Sequence, residues 1–335
     1  MNLLEYIWTD GKGNLRSKTR VREAHGEIPD WNYDGSSTWQ ADGTSSEVIL
    51  KPKREYKDPW NPNGKLILCD TYLPTGEPHP TNNRHKAQQI FDQKAGENPL
   101  FGIEHEFFVF DNKTTRPLGF EMYYNESEGC LKCKVKEQGQ YYCSVGAENA
   151  FGREFLAESL KKSLEAGVKC TGSNLEVCPG QMEIQVCNFG IQAGDDSLML
   201  KYILHRVSEK YNYTIDFSAK PVKGDWNGSG CHVNYSTEKM RKQGGYEEIL
   251  LAIEKLERKH IEHIEVYGDD NKERLTGKHE TSSIEKFTSG VADRGASIRI
   301  PNDTFKNKMG YFEDRRPSSS ADMYLVTSKI FQTCL

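Results

Sequence analysis

The sequence predicts an α+β fold in two domains, a small β-rich domain over residues 1–80 and a larger domain of mixed helices and strands over residues 81–335. Three observations support this prediction. Strand-like patterns dominate the first part of the chain, and the polar, proline-rich stretch 74–80 has the composition of a linker. Helical periodicity then alternates with further short strands.

Three strands are predicted in the N-terminal domain, at 6–8, 15–21 and 65–69. The first two flank the stretch 10–14, whose Asp-Gly-Lys-Gly-Asn sequence is typical of a turn. These patterns indicate that the chain begins with a small sheet.

Helical periodicity predicts five helices in the C-terminal domain. They cover 83–94, 153–166, 196–211, 246–267 and a last segment that starts after Pro317 and runs through Phe331. Gly167 is the expected C′ residue of the second helix. The fourth helix is predicted to be the longest, with an apolar stripe formed by Ile249, Leu250, Ile253, Leu256, His260 and Ile264.

Composition and charge argue against several classes of function. The net charge is −5 and the pI is near 6.0, whereas nucleic-acid binding usually requires a basic face. No apolar run has the length of a membrane span, and the first residues resemble neither a signal peptide nor a transit peptide. We therefore expect a cytoplasmic protein whose partners are neither nucleic acids nor membranes.

The sequence contains nine cysteines, an odd number that suits reduced thiols. Cys130 and Cys133 form a single C-x-x-C pair. A zinc site would require a second pair or suitably placed histidines, so we interpret these two as loop cysteines.

Two glutamates share one face of the predicted strand 101–110. Side chains alternate along a strand, so Glu104 and Glu106 point the same way, while Ile103, Phe107 and Val109 point toward the core. Paired carboxylates on an apolar strand repel each other and lose hydration. A solvated edge would remove that cost, whereas a bound cation would turn it into a gain.

A second glutamate pair flanks the turn at Pro179 and Gly180. A hairpin centred there would place Glu176 directly opposite Glu183, a repulsive arrangement unless something positive lies between them. Either glutamate pair alone is more often a solvated surface. Two such pairs together favour metal binding.

His232 and Glu313 extend this acidic pattern. His232 follows a glycine-rich turn on a strand-like segment and shares a face with Asn234 and Ser236. Carboxylates with a single imidazole suit hard cations, Mg²⁺ or Mn²⁺, better than zinc or copper. Hard cations near arginines suggest phosphate chemistry, and the candidate arginines are Arg294, Arg299, Arg315 and Arg316.

Six motifs resemble eukaryotic-type (class II) glutamine synthetase, and the resemblance runs from Tyr6 to Leu335. The motifs lie at 15–20, 31–38, 227–232, 274–282, 296–301 and 310–317. The resemblance implies a β-grasp-like N-terminal domain and a C-terminal catalytic domain with an antiparallel curved sheet. It also implies a ligase that uses ATP to join ammonia to L-glutamate, giving L-glutamine through γ-glutamyl phosphate.

The resemblance further implies a role for each matching residue. One cation would be held by Glu104, His232 and Glu313, and the second by Glu106, Glu176 and Glu183. Arg294 and Arg299 would contact ATP and its transferring phosphate, and the nucleotide would also contact Asn234, Ser236 and Tyr311. The residues that would line the glutamate site are Asp225, Trp226, Asn227, Gly228, Arg274 and Arg315.

Two further roles and an assembly also follow from the resemblance. Glu280 would lie in a flap that closes over glutamate, and Asp34 would enter a neighbouring subunit's site and deprotonate ammonium. The implied assembly is a homo-oligomer, a decamer of two pentameric rings. Two alternatives remain open, a catalytically silent relative and a ligase for another amine such as a polyamine. The six matching metal positions argue against the first, and Asp34 with Glu280 favours ammonia over the second.

Overall fold

The computed structural model of this chain describes residues 2–23 and 26–335. The N-terminal strands are β1 (Asn2–Thr9), β2 (Leu15–Arg22), β3 (Trp31–Asp34), β4 (Glu47–Lys57) and β5 (Gly64–Tyr72). They form one sheet in the order β2-β1-β5-β4-β3, in which β1 and β5 are parallel and the other pairs antiparallel. This mixed sheet confirms the predicted β-grasp-like start of the chain, while the domain boundary near residue 80 stays a prediction.

The sequence patterns found β1, β2 and β5 but missed β3 and β4. Strand β4 contains a proline and several charged residues, which are uncommon inside a strand. The structure accommodates Pro52 at a register shift between Pro52 and Arg54, a bulge that leaves the flanking pairs with β5 intact.

A larger sheet forms the centre of the C-terminal part. Its strands are β6 (Leu100–Asp111), β7 (Arg116–Pro117), β10 (Cys170–Leu175), β11 (Gln181–Phe189), β12 (Tyr213–Asp216), β13 (Cys231–Ser236), β14 (Ser289–Val291), β15 (Ile298–Ile300) and β16 (Phe312–Asp314). Their order is β10-β11-β6-β13-β16-β15-β14, with β7 and β12 also pairing with β6. Except for the parallel pair β14–β15, the pairing is antiparallel, as expected. The strands β8 (Glu121–Asn125) and β9 (Cys130–Lys134) form a separate hairpin.

Helices pack against this sheet. They are α1 (Asn83–Asp92), α2 (Arg153–Ala166), α3 (Ile191–Tyr211), α4 (Gly245–Arg258), α5 (His260–Ile264), α6 (Asn302–Asn307) and α7 (Met323–Cys334). Helix α2 has the predicted bounds, and Gly167 ends it with φ 100° while its N–H donates to the carbonyls of Leu164 and Ser163. No helix in the described part of the chain is long and apolar enough to cross a membrane.

Three helix predictions need correction. The predicted single helix 246–267 is divided into α4 and α5 at Lys259, which leaves helical geometry with φ −111° and ψ 21°. The longest helix is instead α3, which begins at Ile191, five residues before its predicted start. Helix α7 begins only after Asp322, whose side chain accepts a hydrogen bond from the N–H of Tyr324 and so caps the helix.

The apolar face of β6 lies in the core. Ile103, Phe107 and Val109 are fully buried, as predicted, and helix α3 packs against β6 and β11. The alternating glutamates therefore point to the opposite face of the sheet, away from the helical layer. This leaves Glu104 and Glu106 facing a cavity rather than the core.

A buried ion network joins the N-terminal sheet to the helices. Arg84 of α1 donates to Asp195 of α3 from Nε at 2.7 Å and from Nη2 at 3.0 Å. Arg54 of β4 lies 3.0 Å from Asp196, which also accepts a hydrogen bond from the Tyr56 hydroxyl. Paired and hydrogen-bonded charges of this kind fix the relative position of the elements that carry them.

Candidate active site

Strand register brings the predicted acidic residues onto neighbouring strands. Glu104 on β6 lies opposite His232 on β13, and Glu106 on β6 lies opposite Glu183 on β11. Glu313 on β16 lies opposite Asn234 on one side and Arg299 on the other. Side chains that are opposite each other in a sheet share a face, so these groups converge on one surface.

Glu104, His232 and Glu313 form a compact triad. One possible ligand atom from each lies within 4.8 Å of the others. Nδ1 of His232 is 3.1 Å from Glu104 Oε2 and 3.4 Å from Glu313 Oε1. Burial, and then the nearby Arg315, lower the pKa of His232 well below its ordinary value. The imidazole is therefore neutral, the form that coordinates a cation.

Glu106, Glu176 and Glu183 form a second acidic group. Burial is the largest cause that raises their pKa values, to about 8, about 7 and about 8 respectively, and repulsion between neighbouring glutamates is the next. Glu106 accepts hydrogen bonds from the Gly230 N–H and from Nε2 of Gln181. The group holds protons at neutral pH, and a cation could take their place.

The predicted hairpin register at Pro179 was wrong. Asn174, not Glu176, lies opposite Glu183, and the Glu176 N–H donates to the Gln181 carbonyl at 2.9 Å. The turn is therefore wider than the two residues assumed, because Pro-Gly does not favour the tight hairpin turn. Glu176 and Glu183 stay on one side of the hairpin as a diagonal pair, close enough that Glu183 raises the pKa of Glu176.

Arginines surround the triad. Glu313 is 2% exposed and accepts hydrogen bonds from Nη1 of both Arg299 and Arg315 at 2.7 Å. Arg274 is buried, and its Nη2 lies 3.1 Å from Nε2 of His232. Burial lowers the pKa of Arg274 to about 10, so its guanidinium remains charged at neutral pH.

A cavity of about 400 Å³, which we call the main cavity, is lined by most of the predicted site residues. The predicted residues among those that line it are Glu104, Glu106, Glu176, Glu183, Asn227, Gly228, His232, Arg274, Glu280, Arg294, Arg299, Glu313 and Arg315. All six predicted cation ligands and four arginines therefore face the same space.

A neighbouring cavity of about 500 Å³ contains the predicted nucleotide residues Asn234, Ser236 and Tyr311. Glu104 and Gln185 line both cavities, so the two spaces meet at strands β6 and β11. Nδ2 of Asn234 donates to Glu104 Oε1 at 2.8 Å, which links a predicted nucleotide contact to a predicted cation ligand.

Three predicted residues lie outside the lining of these two cavities. Asp225 is exposed and contacts Nε2 of His279 at 3.0 Å, while the ring of Trp226 packs edge-on against Phe120. Asp34 is exposed at the end of β3. Its pKa is lowered, chiefly by the hydrogen bond from the Ser36 hydroxyl, so it is an ionised carboxylate.

Several residues at the site were not predicted from the sequence. Gln181 is buried and bridges Glu106 to the Gly228 carbonyl at 3.1 Å, and Tyr142 lines the main cavity. Gln181 follows a turn and has no distinctive local pattern, so only the folded register shows its partners.

Cys130 and Cys133 lie on β9 rather than in a loop, and their spacing of three points them to opposite faces of that strand.

The chain is similar to known proteins in sequence and in fold. Residues 79–248 match the family described as glutamine synthetase, catalytic domain. The chain is 49% identical to a putative glutamine synthetase of Acanthamoeba polyphaga mimivirus, over 99% of this chain and 94% of the relative. A cytosolic glutamine synthetase isozyme of Medicago sativa is also 49% identical, with the same coverage.

The fold is similar to that of a Plasmodium falciparum glutamine synthetase solved by electron cryo-microscopy. The TM-score is 0.79 at 18% identity, and the match covers all of this chain and 71% of that one. Fold and relatives therefore define the class of protein as an α+β enzyme, a ligase. Within that class, the chain belongs to the glutamine synthetase family, of the eukaryotic type, whose members use ATP and divalent cations to make glutamine from glutamate and ammonia.

Proposed function

We propose that this chain ligates ammonia to L-glutamate at the expense of ATP and forms L-glutamine through a γ-glutamyl phosphate intermediate. The observation that supports this best is the shared cavity, in which the six predicted cation ligands and four arginines face one another. A carboxylate and ammonia do not condense in water near neutral pH, so the γ-carboxylate needs a phosphate leaving group. A cavity rich in arginines and cation ligands suits that phosphoryl transfer.

The residues fit two hard divalent cations, Mg²⁺ or Mn²⁺. Glu104, Glu313 and the neutral imidazole of His232 would hold one ion, and Glu106, Glu176 and Glu183 the other. Five carboxylates and one imidazole are the donor set that such ions prefer. When bound, the ions would neutralise the triphosphate and the charge that develops on the transferring phosphoryl group.

The arginines supply fixed positive charge for the same transfer. Glu313 holds the guanidinium groups of Arg299 and Arg315 by hydrogen bonds of 2.7 Å, so both are oriented before substrate binds. Arg294 is half exposed and lies 3.5 Å from Glu280, a weak contact that leaves it free to bind a phosphate oxygen. We assign Arg294 and Arg299 to contacts with ATP and its transferring phosphate. Asn234, Ser236 and Tyr311 would make further contacts with the same nucleotide.

The remaining cavity residues suit glutamate. Oδ1 of Asn227 is buried without a hydrogen-bond partner among the described residues, so it can accept from the α-ammonium group. Arg315 and Arg274 carry the positive charge that a carboxylate needs. We place the substrate between these groups, flanked by Asp225, Trp226 and Gly228, with Glu280 in the loop that closes over it.

Ammonia binding requires a second subunit in this proposal. Asp34 is ionised and exposed, and it lies outside the two cavities described for its own chain. We propose that it enters the site of an adjacent subunit, where it binds ammonium and takes its proton. The assembly would be two pentameric rings located in the cytoplasm.

Parallel measurement of phosphate release and glutamine formation tests this function. The purified chain should release phosphate from ATP only with Mg²⁺ or Mn²⁺, glutamate and ammonium present, and should form glutamine in equal amount. A panel of amines in the same assay separates the alternatives. Turnover with a polyamine instead of ammonium would indicate the related ligase, and no turnover with any amine would indicate a silent relative.

A further inference from the structure

Hydrogen bonds through Gln138 join two separate segments beside the main cavity. The Asn227 N–H donates to Oε1 of Gln138 at 2.6 Å, and Nε2 of Gln138 lies 3.2 Å from Nδ1 of His279. Nε2 of His279 in turn lies 3.0 Å from Asp225 Oδ1. We call this set of contacts, formed by Gln138, His279, Asp225 and Asn227, the Gln138 bridge.

The direction of each hydrogen bond in the bridge follows from its first member. A backbone N–H can only donate, so the atom of Gln138 that faces Asn227 must be its amide oxygen. The amide NH₂ then donates to Nδ1 of His279, which leaves the other ring nitrogen as the donor to Asp225. Each donor therefore meets an acceptor along the whole bridge.

The loop 276–283 is the segment that the bridge holds. An isolated antiparallel bridge between Thr276 and Ser283 closes its base. His279 and Glu280 are consecutive non-glycine residues with φ 54° and 58°, a backbone conformation that costs energy and persists only where contacts impose it. Glu280 and Thr281 line the main cavity, so the position of this loop determines how open that cavity is.

Gln138 is itself anchored beside a predicted cation ligand. The N–H of the next residue, Gly139, donates to the Val177 carbonyl at 2.9 Å, directly after Glu176. The bridge therefore links the loop 276–283 both to the segment that carries Glu176 and to the Asn227 segment. Opening of the loop would break the contact between Gln138 and His279.

We propose that Gln138 is a positioning residue that holds the loop 276–283 closed over the cavity and so protects the acyl phosphate from water. This inference rests on the proposed function. In the productive step, the nitrogen of ammonia bonds to the acyl carbon, the carbon–oxygen bond to phosphate breaks, phosphate leaves with the electron pair, and the nitrogen loses one proton to solvent. In the wasteful step, water adds at the same carbon, glutamate is regenerated, phosphate leaves, and a proton passes to solvent.

The ratio of phosphate released to glutamine formed measures this protection. Gln138→Ala should raise the ratio at limiting ammonium by up to about tenfold, the effect of losing one hydrogen bond worth about 1.4 kcal/mol. His279→Ala should raise it by a similar factor. Both single variants break the contact between Gln138 and His279, so the double variant should raise the ratio by less than the product of the two single effects.

Controls separate this role from a general loss of structure. Gln140→Ala, at an exposed position two residues away, should keep the wild-type ratio. Gln138→Leu keeps a similar volume but has no polar atom for Asn227 or His279, so it should also raise the ratio if Gln138→Ala fails to fold. An unchanged ratio in the folded Gln138 variants, or additive effects in the double variant, would overturn the inference. Wild-type protein that forms no glutamine would instead refute the proposed function itself.

Discussion

At the scale of single residues, Glu313 connects the predicted cation site with the arginines. Its carboxylate accepts hydrogen bonds from Arg299 and Arg315 and lies 3.4 Å from Nδ1 of His232. The carboxylate is nearly buried, so these two hydrogen bonds from charged groups replace hydration that it has lost. Loss of the carboxylate would therefore disturb cation binding and arginine position together.

Glu313→Ala should lower kcat/KM by at least about a hundredfold, because an ion bound to this carboxylate contributes several kcal/mol of transition-state stabilisation. The assay is phosphate release together with glutamine formation. Glu285→Ala, at an exposed position, is the matched control and should keep wild-type activity. Size-exclusion chromatography should show the same assembly for both variants, and retained turnover in Glu313→Ala would contradict the ligand assignment.

The three glutamates of the second group predict a pH dependence of stability. Burial raises the pKa values of Glu106, Glu176 and Glu183 to about 8, 7 and 8 in the folded chain, from an ordinary value of 4.5. At a pH between the ordinary pKa and these raised pKa values, the glutamates hold protons in the folded state that they have released in the unfolded state. These three groups therefore make the cation-free protein less stable as pH rises from about 5 to about 8.

Thermal unfolding with a chelator present tests this dependence. Glu183→Gln removes one of the titrating groups, so its loss of stability between about pH 5.5 and about pH 8 should be smaller than that of the wild type. Added Mg²⁺ should stabilise the wild type more at the higher pH, where fewer protons must be displaced. Parallel pH curves for the two proteins would show that Glu183 does not titrate in this range.

Strand alternation predicted the residue pairs that lie within one element. Glu104 and Glu106 share a face because they are two residues apart on β6, and this required no knowledge of the partner strands. The contact of Arg274 with His232 could not be predicted from local pattern. It joins residues 42 positions apart, and it depends on how the segment that follows α5 returns to the sheet.

At the scale of elements, the turn between β10 and β11 controls where Glu176 lies. Gly180 has φ 75°, and a Cβ there would lie 2.8 Å from the Leu118 nitrogen and 2.9 Å from its oxygen. The backbone of this turn therefore packs directly against the chain that follows β7. A side chain at this position would push the turn, and Glu176 with it, away from the site.

Gly180→Ala should destabilise the protein by about 2–3 kcal/mol, since it combines a positive φ with a clash against backbone atoms. Gly167→Ala is a sharp control because that residue also has positive φ, at 100°, but a Cβ there would meet open space, with no atom of the described chain beyond its immediate neighbours within 4 Å. Gly167→Ala should cost about 1 kcal/mol and leave Mg²⁺ affinity unchanged. Urea unfolding and Mg²⁺ titration of both variants provide the measurement, and equal costs would argue against the clash.

Element predictions succeeded where the end of an element is encoded in its own sequence. Gly167 marks the end of α2, and the helix has the predicted bounds. The predicted helix over 246–267 has a continuous apolar stripe, but the chain leaves helical geometry at Lys259, and periodicity alone gives no sign of this. The paired carboxylates at Pro179 were placed with the wrong register because turn width, not strand pattern, sets the pairing.

At the scale of the whole molecule, the proposed site is divided between two chains. Asp34 lies on the N-terminal sheet at the end of β3, whereas five of the six predicted cation ligands lie on strands of the C-terminal sheet and Glu176 lies in the turn after β10. A heterologous contact repeated around a ring would bring the Asp34 of each subunit to the next subunit's cavity. A subunit that lacks Asp34 and a neighbour that lacks a cation ligand could therefore form one complete site between them.

Co-expression of Asp34→Ala and Glu313→Ala chains tests this arrangement. Each variant alone should be inactive, but in mixed rings a Glu313-containing cavity can face an Asp34-containing neighbour. With equal, random mixing, about one quarter of the sites are complete, since each of the two requirements is met half the time in a head-to-tail ring. Recovery of about that fraction of wild-type glutamine formation would support the shared site. If the two residues act within one chain, every subunit lacks one of them and the mixed assembly stays inactive.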